Sequence, residues 1–197
     1  MCTINTYTII LASSSPYRRM LMERLGLLFS CEIPSIDESQ VTDETPEQLV
    51  QRLAQAKASR IAGNHEDAIV IGSDQVATLN NEILLKPGSH DKAKAQLERL
   101  SNQCVRFITG LCVINTLTQT TQLDFIPYLV RFRSLDNHEI ERYLQKEQPY
   151  DCAGSFKSEG LGVSLLARME GDDPTALIGL PLIRLSEMLR QEGIALP

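Results

Sequence analysis

The sequence predicts an α/β protein, and three observations predict it. Strand-like and helix-like segments alternate along the chain, with no internal repeat and no low-complexity tract. Ala68-Ile69-Val70-Ile71-Gly72 is a continuous apolar run, the pattern of a buried central strand. Thr45-Pro46-Glu47-Gln48 and Asp136-Asn137-His138-Glu139 both resemble the capping box that opens a helix. No Pro/Gly/Ser-rich stretch is long enough for a linker, so residues 1–197 read as one domain.

Taken in order, Thr8-Ile9-Ile10-Leu11 is a short strand. Ser15 can cap the next helix and Pro16 suits its first turn, which predicts a helix over 16–25 that stops near Gly26. Free N–H groups, hydroxyls, Arg18 and Arg19 meet where this strand becomes a helix, and such a place attracts phosphate. A strand over 29–33 and a polar, acidic loop over 34–44 come next.

The following helix starts at the Thr45 box and stops at Gly63. At about 100° per residue, Leu49, Val50, Leu53, Ala54 and Ile61 form one apolar stripe. Lys57 falls in its middle. A lysine there can snorkel to the surface; a polar cleft or an anion explains the position better.

The apolar strand 68–72 ends in Ser73-Asp74-Gln75, placing a carboxylate where open α/β sheets commonly hold their chemistry. A short strand over 76–79 turns at Asn80-Asn81 and returns over 83–86. Lys86-Pro87 leads into a helix over 89–100. A strand over 105–115, holding Thr109-Gly110, pairs antiparallel with a strand over 120–133. The Asp136 box opens a helix to 147. The glycine- and serine-rich segment 151–160, with Lys157 and Glu159, can form a ligand wall. A strand over 163–167, a turn at 171–174 and a helix over 182–192 complete the chain.

The hydrophobic share of 43% and charged share of 22% are those of an ordinary globule. The net charge of -6 argues against a nucleic-acid polymer or a membrane surface as partner, so any anion site is a local basic pocket. The five cysteines show no C-x-x-C spacing and are odd in number, which fits reduced thiols in the cytoplasm. Cys104 and Cys112 lie in apolar stretches and read as small core residues. No span reaches transmembrane length, and the basic residues follow the N-terminal apolar run, the wrong order for a secretory signal.

The sequence holds no G-x-x-x-x-G-K-[ST], no dinucleotide fingerprint and no G-x-S-x-G elbow. Its three histidines stand in polar surroundings, against a histidine-built zinc site or a Ser-His-Asp triad. What remains is a charge constellation: Arg18, Arg19, Lys57, Lys86 and Lys157 with Asp37, Glu38, Asp74 and Glu159. Cations beside carboxylates suit a magnesium-bound polyphosphate, because carboxylates hold the hard metal while cations take the phosphate charge.

Over nearly its whole length the chain resembles the Maf-like nucleoside triphosphate pyrophosphatases, and among them the subgroup acting on 7-methyl-GTP. The resemblance rests on Leu11-Ala-Ser-Ser-Ser-Pro-Tyr-Arg-Arg19, Asp37-Glu38, Leu53-Ala-Gln-Ala-Lys57, Ile71-Gly-Ser-Asp-Gln75, Lys86-Pro87, Thr109-Gly110, Ala153-Gly-Ser-Phe-Lys-Ser-Glu-Gly160 and Gly179-Leu-Pro-Leu182. It implies a two-lobed fold of the Maf/ITPase type, with an elongated mixed sheet and a cleft between the lobes. It implies hydrolysis between the α and β phosphates with a divalent cation, magnesium with manganese as substitute. Asp74 matches the family's catalytic acidic residue, usually assigned as proton acceptor. Ser13, Ser15, Arg18 and Arg19 match phosphate binders, and Glu38, Lys57 and Lys86 complete the metal and phosphate shell, with Asp74 and Glu38 as metal ligands. Tyr17, Gln75 and Glu159 match the positions that set substrate choice. Tyr17 would stack on the cationic N7-methylated guanine and Glu159 would accept from its N1 and N2 edge. Family members are often dimers, which allows a homodimer here. A dTTP/UTP pyrophosphatase of the same family is the nearest alternative, against which Gln75 and Glu159 weigh. A nucleotide-binding regulator of septum formation is the alternative of another class.

Overall fold

The computed structural model describes residues 7–196. Ile9, Ile10, Leu11 and Ala12 are all buried, as an inner strand requires. Their strand, Thr8–Ala12 (β1), pairs in parallel with Ser30–Glu32 (β2) on one edge and with the first part of Ala68–Leu79 (β3) on the other. Parallel neighbours need crossovers, and helices Pro16–Glu23 (α1) and Pro46–Ala62 (α2) lie in them. Gly26, at a φ of +67°, stands in the turn after α1, two residues beyond the Arg24 cap. The Thr45–Gln48 capping box starts α2 as its residues predict.

The later half of β3 turns back through Asn80 and Asn81 into Glu82–Leu84 (β4). Both asparagines have positive φ, as a tight hairpin with the strands' twist requires. The sequence predicts a break at Ser73-Asp74-Gln75, and here the structure differs. Cys104–Asn115 (β5) pairs with β3 from Ile69–Asn115 to Thr78–Arg106, so β3 runs unbroken for 12 residues. Asp74 is therefore mid-strand and not at a strand's carboxyl end. The opposite edge of β3 explains its character. β1 ends opposite Gly72, and β4 joins only from Ala77 onward. Residues 73–76 have no strand partner on that edge among the described residues.

Thr120–Phe132 (β6) runs antiparallel to β5, and Leu166–Glu170 (β7) lines β6. The sheet order is β2-β1-β3-β5-β6-β7, with β4 on β3. Helices His90–Leu100 (α3), Asn137–Glu147 (α4) and Leu182–Gln191 (α5) complete the fold. Of the four buried apolar clusters among the described residues, two define the lobes on either side of the gap in the β3 edge. Ile9, Leu11, Leu21, Met22, Leu185 and Leu189 bind β1, α1 and α5 into one lobe. Leu84, Leu97, Phe107, Tyr143, Leu144 and Phe156 bind β4, α3 and α4 into the other.

Two smaller expectations are corrected. Residues 163–165, read as the start of a strand, belong to a short 3-10 helix over Leu161–Leu165, and β7 begins only at Leu166. Gly162 lies so close to the buried Phe156 ring that a Cβ there would be 2.7 Å from it, which forces a tight turn before the strand. Cys104 is exposed rather than buried, because the alternation of β5 turns Val105 and Phe107 inward. Cys112 is buried as expected. Cys2 lies outside the described residues.

Glycines set how closely α2 packs on the sheet. Ala54, Ala58 and Val50 lie over Gly72 and Gly110. A Cβ on Gly72 would stand 2.2 Å from the Ala54 carbonyl oxygen, and one on Gly110 2.2 Å from that of Val50. Both neighbours are helix backbone, which cannot move aside cheaply. Gly110→Ala is therefore expected to lower stability by about 1–3 kcal/mol. The check is urea unfolding, where the midpoint should fall with an unchanged slope; an unchanged midpoint would contradict the close approach.

Candidate active site

The gap in the β3 edge forms the floor of a cleft of about 750 Å³, a size suited to a nucleotide. Alternation along β3 turns Asp74, like Gly72, toward α2. Because α2 lies so close, Lys57 reaches the cleft from within an otherwise apolar face. Its Nζ is 2.6 Å from Asp74 Oδ1 and 2.8 Å from Glu38 Oε1. Lys57 is 6% exposed and Asp74 8%, so their charges are largely out of water. Glu38 comes from the loop before α2 and remains open to solvent. Burial raises its carboxyl, but Lys57, Lys86 and Arg18 outweigh this and hold it below the usual range.

Directly beyond β1, the Ser15 N–H donates to Ser13 Oγ at 3.1 Å, and Ser15 Oγ accepts from the Arg18 N–H. This turn aims the N-terminus of α1 at the cleft. Arg18 Nε donates to the Gly179 carbonyl at 2.8 Å. Its two Nη groups have no protein partner among the described residues. Burial lowers the guanidinium's pKa, while Asp74 and Glu38 oppose the shift. Lys86 borders the same end of the cleft from the loop after β4.

Ser73 and Gln75 point to the other face of the sheet. Ser73 Oγ donates to Gly110 O and Gly179 O. Gln75 Nε2 donates to Thr109 Oγ1, Ala176 O and Leu177 O, and Thr109 Oγ1 donates to Ala176 O. These bonds clamp the segment that carries Gly179, whose φ of +117° suits glycine. Gln75 borders the cleft, yet its amide nitrogen is committed to the chain's own backbone.

Tyr17 and Glu159 also line the cleft, with Ser158 and Phe156. Cys152 lies there too. Burial, with Asp151 adding to it, pushes its thiol up to about 12, which excludes a ready thiolate nucleophile.

The structure thus brings together Ser13, Ser15, Tyr17, Arg18, Glu38, Lys57, Asp74, Gln75, Lys86 and Glu159. It does not bring Arg19, whose side chain is 66% exposed and pairs with Glu23 one turn along α1. Adjacent helix residues point about 100° apart, so only one of the two arginines can face the cleft. Asp37 also lies outside, turned to Ser39. Lys157 is not a cleft wall either. It pairs with Glu147 at 3.0 Å and lies over the Tyr17 ring. Among the described residues, no group of three or more carboxylate, histidine or cysteine side chains converges as an independent metal cage. No described helix is long and apolar enough to cross a membrane. The Ser73–Thr109–Gly179 clamp and Glu147 have no local signal in the sequence beyond the motifs that hold Ser73, Thr109 and Gly179.

The chain matches the family described as Maf-like protein over residues 8–192. It belongs to the Maf family. Its relatives there include a 7-methyl-GTP pyrophosphatase of Methylobacillus flagellatus, 56% identical over 186 residues that cover 94% of this chain and 97% of that one. A 7-methyl-GTP pyrophosphatase of Pseudomonas syringae pv. tomato is 54% identical over 190 residues, covering 96% and 99%. Among solved structures, the Staphylococcus aureus Ham1 protein aligns at a TM-score of 0.46 and 15% identity over 64% of this chain and 71% of that one. The mixed sheet and the cleft are those expected from the resemblance to the Maf family.

Glu147 gives the cleft's surroundings a pH dependence. The Leu161 N–H lowers its carboxyl most, burial opposes this, and Lys157 lowers it further. A carboxyl depressed on folding contributes stability above its unfolded pKa of about 4.3 and loses it as pH falls through the folded value. Thermal unfolding between about pH 6 and about pH 3 should thus fall more steeply for the wild type than for Glu147→Gln. Equal slopes would contradict the pairing.

Proposed function

We propose that this chain is a divalent-metal-dependent nucleoside triphosphate pyrophosphatase. It cleaves between the α and β phosphates, acts on 7-methyl-GTP, and works as one catalytic domain in the cytoplasm. The observation that carries this reading is the buried Lys57 ammonium, which bridges Asp74 and Glu38 beside the N-terminus of α1. The names of the relatives at 54–56% identity support the substrate.

The phosphate end of the cleft is built for anions. Arg18, Lys57 and Lys86 face the carboxylates of Asp74 and Glu38, leaving one net positive charge. That falls short of a triphosphate's charge, and a divalent cation narrows the gap. Asp74 and Glu38 are hard oxygen donors, so the donor set fits magnesium or manganese, with substrate oxygens and water completing the shell. When bound, the cation screens the phosphate charge and polarises the phosphoryl oxygens.

The chain's own groups do the rest. The serines and the free N–H groups of α1 hold phosphate oxygens. Arg18 and Lys86 take charge that develops on the departing pyrophosphate. Lys57, once phosphate oxygens arrive, can exchange Asp74 for them. Asp74 then orients a water for in-line attack on the α phosphorus and accepts its proton. Glu159 accepts from the guanine edge, and its negative charge favours the cationic methylated base.

Pyrophosphate release from 7-methyl-GTP, GTP, dTTP and UTP tests this reading. The wild type should favour 7-methyl-GTP and stop on chelation of divalent ions. Asp74→Asn should lose about a hundredfold or more in kcat. Near-normal turnover by that variant, or equal activity on GTP and 7-methyl-GTP, would contradict the assignment.

A further inference from the structure

Lys157 stands among the candidate phosphate-binding cations in the sequence, yet it does not line the cleft. It is held at both ends. Its N–H donates to Tyr143 Oη at 3.1 Å, and Tyr143 is a buried residue of α4. Its Nζ lies 3.0 Å from Glu147 Oε1. The other Glu147 oxygen accepts the Leu161 N–H at 2.7 Å, which fixes the carboxylate. A Cβ on Gly160 would lie 2.5 Å from that same oxygen, so the chain folds closely around the Glu147 head.

The ammonium so fixed lies 5.5 Å from the centroid of the Tyr17 ring, within the range of a cation–π contact. Tyr17 borders the cleft and Lys157 does not, and the ammonium also interacts with the Tyr17 hydroxyl. Tyr17 belongs to α1 in one lobe. Lys157 belongs to the segment that presents Ser158 and Glu159 from the other. One side chain therefore spans both sides of the base end of the cleft.

We propose that Lys157, anchored by Glu147, is a positioning residue for base selection, fixing the Tyr17 ring at a set spacing from Glu159. The inference rests on the reading of Tyr17 and Glu159 as base contacts. A surface ion pair alone would not need to touch Tyr17. A partly exposed cation–π contact corresponds to about two- to fivefold in an equilibrium constant. Base contacts made equally in the ground and transition states change KM rather than kcat.

Five proteins test it: wild type, Lys157→Met, Lys157→Arg, Tyr17→Leu, and Lys157→Met combined with Tyr17→Leu. With 7-methyl-GTP, Lys157→Met should raise KM about three- to fivefold and change kcat less than twofold. Lys157→Arg should restore KM to within about twofold of wild type, since it keeps the cation. Against a Tyr17→Leu background, Lys157→Met should have no further effect. Lower thermal stability with an unchanged KM, or the same rise in KM with and without Tyr17, would overturn the proposal. Equilibrium binding of the α,β-methylene analogue of 7-methyl-GTP gives a second readout without turnover. A Tyr17-dependent loss of binding in a protein that releases no pyrophosphate would sink the hydrolytic reading and leave this one standing. Binding insensitive to Lys157 would overturn this one alone.

Discussion

Everything at the cleft depends on one ammonium held between two carboxylates. Lys57 and Asp74 are both nearly out of water, and withdrawing either charge alone from solvent costs several kcal/mol. Only short contacts offset that cost, so the distance between α2 and β3 is tightly constrained. Gly72 and Gly110 set it. They let helix backbone lie directly on strand backbone, where any side chain would lift the helix and pull Lys57 away from Asp74. The flanking Leu53, Ala54, Ala58 and Ile61 then bury the rest of that helix face. Packing and electrostatics are thus one arrangement: the small residues bring the helix down, and the ion pair gives the lysine its place.

The sheet supplies the opening. β1 leaves the β3 edge opposite Gly72 and β4 takes it up at Ala77, so residues 73–76 have no strand neighbour on that edge and Asp74, Gln75 and Val76 line the cleft. Each lobe then brings its own chemistry to that opening. The lobe of β1, α1 and α5 contributes the serine turn, Arg18 and Tyr17. The lobe of β4, α3 and α4 contributes Lys86 and Glu159. The Gly179 carbonyl receives donors from both Arg18 and Ser73, tying α1 to β3 through the segment before α5. Gln75 and Thr109 hold that segment from below. A side chain at a position associated with substrate choice can therefore act by shaping the wall as well as by touching the base.

Local chemistry was legible in the sequence; long-range chemistry was not. The Thr45 and Asp136 capping boxes, the serine turn before α1 and the two-asparagine hairpin are set by neighbours within a few residues, and each formed as its residues predict. Lys57 was legible because an amphipathic wheel exposes a charge in the wrong sector. The unbroken run of β3 was not, because continuity through Ser73-Asp74-Gln75 comes from a partner strand some 35 residues later, the separation of Asp74 from Gly110 being 36. The same limit hid the partners of Lys157. Its residue type fitted phosphate, but only the fold shows that Glu147 claims the charge. Arg18 and Arg19 were equivalent in sequence, and the helix phase separates them, turning one to the cleft and the other to Glu23.

The most direct measurement of the central claim is a double-mutant cycle of Lys57→Met and Asp74→Asn, read by urea unfolding without nucleotide. If the two charges support each other in a dry site, the double variant is more stable than the sum of the single losses by about 2 kcal/mol or more. Single losses that simply add, within about 0.5 kcal/mol, would mean that no such pair holds the cleft together.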